Sequence, residues 1–200
     1  MLRSPVYGKV RYSPRCDRRA RDGRLTRVKP GMLPAFDVET GDLNVVIETP
    51  KGSRSKFSYD EETGFFTLSK LLPAGMAFPF SFEFIPSTRG GDGDPLDVLM
   101  VFEETLFPGC VVSARLIGGL KAKQSEGRKM TRNDRLLARP VLPQDYSPPK
   151  SLRDLDQHLL SEIQEFFATY QRPMGKKFEV LGMLSARDAE KLVRESSEQK

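Results

Sequence analysis

The chain has 200 residues, of which 38% are hydrophobic and 30% are charged, and its formal net charge is +5. This length predicts one domain that is large enough to bury a core, and no apolar run reaches the roughly 18 residues of a membrane span. The two cysteines are far apart and follow no metal-binding or disulfide spacing, and His158 is the only histidine, which excludes a metal site built from several histidines. We therefore expect a reduced, cytoplasmic protein whose chemistry uses carboxylates, Lys, Arg, Tyr and metal.

The positive charge is concentrated at the N-terminus. Residues 1–30 carry ten Lys and Arg against two acids, which leaves 22 basic and 25 acidic residues in 31–200, a net charge of −3. We interpret residues 1–35 as a basic, irregular N-terminal arm and residues 36–200 as the domain. The arm could bind RNA or act as a targeting peptide, although a solvated or subunit-contacting arm is favoured. The mildly acidic domain argues against a nucleic-acid-binding face on the fold itself.

The first half of the domain is predicted to consist of short strands. A strand at 45–47 ends at Glu48, and strands at 56–59 and 65–68 form a hairpin around the turn at 60–64. Between 78 and 85 phenylalanine occupies every second position, which is the period of a strand with one aromatic face, and we assign this face to the core.

Helices are predicted late in the chain, after further strands at 98–102, 110–117 and 135–138. Apolar residues recur at helical spacing from Leu155 to Tyr170. A last strand at 177–184 precedes a terminal helix that Ser185 begins. Short strands followed by helices, without βαβ alternation, predict an α+β or barrel fold.

One short segment concentrates the acidic chemistry. Residues 89–100 read RGGDGDPLDVLM and place Asp92, Asp94 and Asp97 on a tight loop that runs into an apolar strand. Carboxylates this close repel one another unless a cation lies among them, and hard cations such as Mg²⁺ prefer oxygen ligands. The alternative is a simple turn, since Asp, Gly and Pro all favour turns, but a turn gives Asp97 at the strand entrance no role.

The segment DGDPLDV resembles the signature of the soluble, Mg²⁺-dependent inorganic pyrophosphatases of family I. The flanking segments VVIETPKGSRSKF at 45–57, LLPAGMAFPFSFEFIPST at 71–88, RNDRLLARP at 132–140 and FFATYQ at 166–171 are similar as well. Together they cover roughly residues 40 to 184. The resemblance implies a five-stranded OB-like β-barrel with flanking α-helices, and Mg²⁺-dependent hydrolysis of pyrophosphate to two phosphates.

The resemblance also implies roles for individual residues. Asp92 and Asp97 hold the metal that activates the nucleophile, and Asp94 helps to deprotonate the attacking water. Asn133 and Asp134 share the place of an expected aspartate, of which we predict Asp134. The predicted metal ligands are therefore Asp92, Asp94, Asp97, Glu48 and Asp134. The predicted phosphate-binding residues are Lys56, Lys70, Arg135, Tyr170 and Lys177, the last with Lys176 as an alternative.

The sequence departs from the family pattern around this predicted site. Gln124 stands where an aspartate is common, and Lys121 and Lys123 stand where many relatives are acidic. Other departures are Ser58 for a glutamate, Phe82 for a tyrosine and Gln171 for a lysine. These changes predict weaker secondary metal binding, with reduced activity or an altered metal preference.

Two functions therefore remain open. The first is an inorganic diphosphatase that acts on pyrophosphate as a homo-oligomer, with a hexamer implied by bacterial relatives. The alternative is an OB-barrel module that binds a phosphorylated ligand or RNA with weak or no catalysis. The intact aspartate triplet favours the enzyme, whereas the arm and the changes at Lys121, Lys123 and Gln124 slightly favour the module.

Overall fold

The computed structural model describes residues 29–126, 129–143, 148–172 and 175–198. Its strands are β1 (Leu43–Thr49), β2 (Ser55–Tyr59), β3 (Phe66–Leu71), β4 (Ser81–Phe84), β5 (Asp97–Met100), β6 (Val111–Glu126), β7 (Lys129–Arg132), β8 (Arg135–Pro140) and β9 (Phe178–Ser185). Its α-helices are α1 (Gln157–Gln171) and α2 (Ala186–Glu198), and short 3₁₀ turns occupy Pro30–Met32 and Leu152–Asp154.

Five strands close into a ring. They follow the order β1-β4-β5-β8-β6, and β6 pairs back onto β1. All neighbouring pairs are antiparallel except β5 with β8. Beyond the ring, β6 continues to pair with β9 and β7, while β2 and β3 form a separate hairpin. The predicted α+β fold with a five-stranded, OB-like barrel is confirmed.

The long strand β6 bends at a glycine. The register between β6 and β8 shifts between Leu116 and Gly118, and Gly118 has a φ of +146°. A Cβ atom at Gly118 would lie 2.5 Å from the Cγ of Leu152 and 2.7 Å from the carbonyl oxygen of Leu184. Only glycine fits this close approach, which lets one strand serve the barrel and then its outer extension.

Two apolar clusters pack on the strands of the barrel, and because side chains alternate along a strand, neighbouring residues belong to different clusters. Val98 and Met100 belong to the first, which extends to α2. Leu99 belongs to the second, which α1 covers. All four predicted core phenylalanines (Phe78, Phe80, Phe82 and Phe84) are buried, although β4 itself begins only at Ser81.

The predicted elements are largely present, with shifted ends. The main helix begins at Gln157, where Asp156 caps it by accepting a hydrogen bond from the backbone N–H of His158 at 2.8 Å. β6 is 16 residues long, beyond the predicted 110–117, and β7 was not predicted. Residues 1–28 of the predicted arm lie outside the described residues. Ala35, at its predicted end, is buried against the domain. No described helix is long and apolar enough to cross a membrane.

Candidate active site

A loop between β4 and β5 presents the three predicted aspartates to a cavity of about 520 Å³. The loop is closed at its base by the backbone N–H of Ile85, which donates to the carbonyl of Leu96 at 3.0 Å. Asp92 and Asp94 lie on the loop, and Asp97 is the first residue of β5. We call Asp92, Asp94 and Asp97 the aspartate cluster.

Two aspartates of this cluster are held by Asn133, in the segment between β7 and β8, and by Arg135, the first residue of β8. The Asn133 amide donates to Asp92 Oδ2 at 2.8 Å. Arg135 Nη1 donates both to Asp97 Oδ2 and to Asn133 Oδ1. The Arg135 guanidinium also lies 5.0 Å from the centre of the Phe167 ring. Arg135 is only 4% exposed, so its position is fixed by packing as well as by charge.

The carboxylates interact electrostatically even though two of them have these partners. Burial, followed by the negative charges of Asp97 and Asp94, raises the pKa of Asp92. The Asp94 side chain is exposed and accepts no hydrogen bond within the described part of the chain. Asp94 is therefore the member of the cluster whose carboxylate is most available to a ligand or a proton.

A β-bulge turns a fourth carboxylate toward the cavity. In the pairing of β1 with β4, Ile47 faces Glu83 and Thr49 faces Phe82, so Glu48 is the extra residue. Glu48 Oε1 accepts the backbone N–H of Tyr59 at 2.7 Å, and Lys56 Nζ lies 3.7 Å from Oε2. Burial raises the pKa of Glu48, and the charge of Lys56 opposes this effect.

The β2–β3 hairpin places two lysines directly opposite each other. Lys56 pairs with Lys70 in the register, and both side chains line the cavity. Like charges in facing positions of a sheet are destabilising. Burial, with the charges of Lys56 and Lys176, lowers the pKa of Lys70. Lys56 Nζ also lies 5.6 Å from the centre of the Phe82 ring, and Lys70 Nζ lies 5.0 Å from the centre of the Tyr170 ring. The pair thus places two positive charges on one wall of the cavity, which suits the binding of a polyanion.

Tyr170 adds a neutral donor to the same cavity. Its ring stacks on Phe166 at 5.5 Å, and its buried hydroxyl has no hydrogen-bond partner in the described chain. Burial raises the pKa of Tyr170 to about 12, an effect that Arg135 opposes. The hydroxyl therefore keeps its proton at neutral pH and can donate a hydrogen bond to an anionic oxygen.

Behind the aspartate cluster, β4 carries a fifth acid. Glu83 lies between Phe82 and Phe84 and has no exposed surface. Neither of its carboxylate oxygens has a partner in hydrogen-bonding geometry within the described chain. Burial raises the pKa of Glu83 well above 4.5; the backbone N–H of Met100 opposes this shift, while the charges of Glu48 and Asp97 add to it.

The cavity brings together eight of the ten predicted site residues. These are Glu48, Lys56, Lys70, Asp92, Asp94, Asp97, Arg135 and Tyr170. The other two, Asp134 and Lys177, do not line it. Asp134 accepts the backbone N–H of Ala122 at 2.9 Å and pairs with Arg132, whereas its neighbour Asn133 reaches the cavity. Lys177 is tied through its backbone to Ser125 at 2.8 Å, and Lys176 lines the cavity instead.

Three neutral amides complete one side of the site. Gln171 Nε2 donates to Gln124 Oε1 at 2.8 Å, so these two departures from the family pattern are bonding partners. We call Gln124, Asn133 and Gln171 the amide cluster. The other departures behave differently: Ser58 and Phe82 line the cavity, whereas Lys121 and Lys123 do not.

Two further charged residues of the cavity, Arg89 and Glu61, had no predicted role. With them the lining contains five acids and five bases, so it has no net formal charge. Arg89 is the only basic residue in the loop that carries the aspartates, and this signal could have drawn attention to it.

The carboxylates of the cavity are oxygen ligands of the kind that a hard divalent cation prefers, although they do not converge on one point in this structure. In the described chain, no three His, Cys, Asp or Glu side chains converge closely enough to hold a metal ion. Asp92, Asp94, Asp97 and Glu48 nevertheless line one cavity, and burial together with the charges of Asp97 and Asp94 raises the pKa of Asp92. Such a set suits Mg²⁺, which keeps several waters and takes few protein carboxylates.

Carboxylates, lysines and a tyrosine hydroxyl around one cavity define a class of site that binds divalent cations together with phosphorylated anions. The fold leads to the same class. Residues 45–200 match the family model described as inorganic pyrophosphatase.

Known proteins agree with this match over most of the chain. An inorganic pyrophosphatase of Synechocystis is 38% identical over 144 residues, covering 72% of this chain and 83% of the relative. Soluble inorganic pyrophosphatase 1 of Arabidopsis thaliana is 33% identical over 184 residues, covering 90% and 84%. The inorganic pyrophosphatase structure from Thermus thermophilus has a TM-score of 0.77 at 30% identity, covering 86% of this chain and 98% of that one. The chain belongs to the inorganic pyrophosphatase family.

Proposed function

We propose that this protein hydrolyses inorganic pyrophosphate to two phosphates with the help of Mg²⁺. The observation that carries the proposal is the pairing of Lys56 with Lys70 on the wall of a cavity that also contains the aspartate cluster. Two facing lysines repel each other and attract an anion to the space between them, and neighbouring carboxylates repel each other and attract a cation. A magnesium pyrophosphate complex supplies both.

The aspartate cluster, with Glu48, would hold the metal. When bound, Mg²⁺ neutralises phosphate oxygens and lowers the pKa of a coordinated water. Asn133 and Arg135 hold Asp92 and Asp97 at the cavity through hydrogen bonds. Asp134 has no part in this proposal, because its carboxylate is used by Ala122 and Arg132.

The remaining residues act on the substrate and the proton. Lys56 and Lys70 bind phosphate oxygens, and the Tyr170 hydroxyl donates a hydrogen bond to one of them. Asp94 accepts a proton from the attacking water, because its carboxylate is exposed and has no partner in the described chain. A P–O bond forms from this water and the bridging P–O bond breaks, which leaves two phosphates.

We also propose that the protein acts in the cytoplasm and self-associates, as the resemblance to hexameric bacterial relatives implies. Apolar side chains such as Leu181 and Met183, which are 45% and 44% exposed on β9, offer surface for self-association. The alternative of a non-catalytic phosphate- or RNA-binding module is not favoured, because the curated relatives carry the name inorganic pyrophosphatase.

Phosphate release from pyrophosphate in the presence of Mg²⁺ tests the proposal. The Asp94→Asn variant should lower kcat by about 100-fold or more, because it removes the proton acceptor. Asp156→Asn is the matched control, since it is the same change at a helix cap that asparagine also satisfies. Equally slow release by the wild type and by Asp94→Asn would refute an enzymatic function.

A further inference from the structure

We propose that Arg89 is a further substrate-binding residue, which contacts the phosphate group of pyrophosphate that lies on the side of the aspartate cluster. This inference rests on the proposed function and deepens it. The other basic residues of the cavity come from β2, β3, β8 and the segment after α1. Arg89 is the one cation that the aspartate loop itself supplies.

The backbone on both sides of Arg89 is fixed. The buried hydroxyl of Thr88 donates to the Ile85 carbonyl at 2.6 Å and accepts the Leu96 N–H at 3.0 Å. The backbone N–H of Arg89 donates to the carbonyl of Ser196 in α2 at 3.2 Å, and that of Gly90 donates to the carbonyl of Asp94 at 2.7 Å. The base of the Arg89 side chain is therefore held in a rigid frame.

The loop also bends in an unusual way just before Arg89. Ser87 has a φ of +53° and is the only non-glycine residue with positive φ in the described chain. Strained backbone of this kind persists where the surrounding structure enforces it, and it is frequent at ligand-binding sites. Here the bend directs Thr88 into the core and Arg89 to the cavity.

The Arg89 guanidinium makes no polar contact with the described part of the chain. It forms no ion pair, ring contact or side-chain hydrogen bond within the described residues, although Asp92 and Asp94 follow closely on its own loop. Arg135, by contrast, is committed to Asp97 and packed on Phe167. An exposed guanidinium beside an anion-binding cavity can offer two parallel N–H donors to one phosphate group.

This placement has a consequence for specificity. Lys56 and Lys70 attract one end of the substrate, and Arg89 adds a cation for the other end. The site should therefore favour a diphosphate that has two free, fully charged ends. A diphosphate with one end esterified carries less charge where Arg89 would bind it.

Kinetics and binding of Arg89→Ala test the inference. The KM for pyrophosphate should rise about tenfold while kcat stays nearly unchanged, because a charged hydrogen bond made in both ground and transition states is lost. Binding of the non-hydrolysable analogue imidodiphosphate with Mg²⁺, measured by calorimetry, should weaken by a similar factor. Arg89→Lys should recover part of both losses. Arg153→Ala, which removes the same charge from an exposed position outside the cavity, should change neither.

The outcomes separate this inference from the proposed function. A wild type that binds imidodiphosphate without hydrolysing pyrophosphate would refute the proposed function, while weaker binding by Arg89→Ala would still support the contact. Unchanged KM and analogue affinity in Arg89→Ala, with an active wild type, would overturn the inference alone. A wild type that neither binds nor hydrolyses would overturn both.

Discussion

The aspartate cluster and the amide cluster line the same cavity but are stabilised in different ways. The aspartates lie within six residues on one loop, repel one another and gain support from Asn133 and Arg135. The amides come from β6, the segment between β7 and β8, and the end of α1. Gln171 Nε2 donates to Gln124 Oε1 across 47 positions of sequence, while the buried Gln171 Oε1 has no partner within the described residues. The aspartate cluster thus keeps a net negative charge, because Arg135 pairs with Asp97 alone, whereas the amide cluster is neutral.

This difference indicates where the cavity can gain from a ligand. Neutral amides neither repel one another nor attract a divalent cation strongly, so they contribute shape and hydrogen bonds. The aspartates provide the charge. In this chain we therefore expect the metal-dependent chemistry to depend on the loop between β4 and β5, with the amide cluster acting as its support.

The largest expected effect comes from removing a member of the aspartate cluster that also supports the fold. Asp97→Ala should reduce turnover by more than the roughly 10- to 100-fold that loss of an outer-shell partner costs. It should also lower the free energy of unfolding by about 2 kcal/mol, because buried Arg135 loses its charged partner while Asp97 itself is only partly buried. Phosphate release and urea unfolding measure the two effects.

Asp97→Asn separates these effects. It keeps an acceptor for Arg135, so much of the stability should return while turnover stays low. Full activity in either variant would mean that Asp97 is not part of the reaction centre.

The next effect concerns Glu83, the buried acid behind the aspartate cluster. In the unfolded chain the Glu83 carboxyl group loses its proton near pH 4.5, whereas in the folded protein its pKa lies well above 4.5. Between the two pKa values the free energy of unfolding should fall by about 1.4 kcal/mol for each pH unit. The glutamine in Glu83→Gln cannot ionise, so the free energy of unfolding of this variant should not show this fall as the pH rises.

Urea unfolding from pH 4 to 8 measures the difference between the two proteins. Glu179→Gln, the same change at an exposed position of β9, is the control and should follow the wild type. Parallel curves for the wild type and Glu83→Gln would show that Glu83 is not held neutral by the fold.

The smallest effect is expected within the amide cluster. Gln124→Ala and Gln171→Ala should each destabilise the protein modestly, and a double-mutant cycle should give a coupling energy of about 1 kcal/mol. Additive losses would mean that the bond between the two amides contributes nothing. A fall in Mg²⁺ affinity in either variant would contradict the separation of the two clusters.

Local patterns were sufficient to predict much of the fold and the aspartate loop of the cavity, whereas the other predicted site residues depended on the resemblance to the family. The phenylalanine alternation, the helix after Leu155 and the aspartate loop each depend on neighbours in sequence, so composition and spacing reveal them. Lys56 and Lys70 face each other because of the register of the β2–β3 hairpin, which the sequence did not determine.

The choice between Asn133 and Asp134 was harder: the sequence favoured Asp134, whereas Asn133 is the residue that lines the cavity. Side chains alternate along extended chain, so Asn133 and Arg135 face the cavity together while Asp134 faces the opposite side. Because Arg135 was predicted to line the cavity, the two-residue period of an extended chain could have indicated Asn133 rather than Asp134. The contact of Gln124 with Gln171 had no such signal, because it depends on how α1 packs against β6.

Metal binding to matched variants tests the central claim most directly. Mn²⁺, which takes the same oxygen ligands as Mg²⁺ and is visible by electron paramagnetic resonance, can be titrated into the wild type, Asp92→Asn and Gln124→Ala. We predict that Asp92→Asn weakens Mn²⁺ binding by about tenfold or more, while Gln124→Ala binds like the wild type. Unchanged affinity in Asp92→Asn together with a loss in Gln124→Ala would contradict the account.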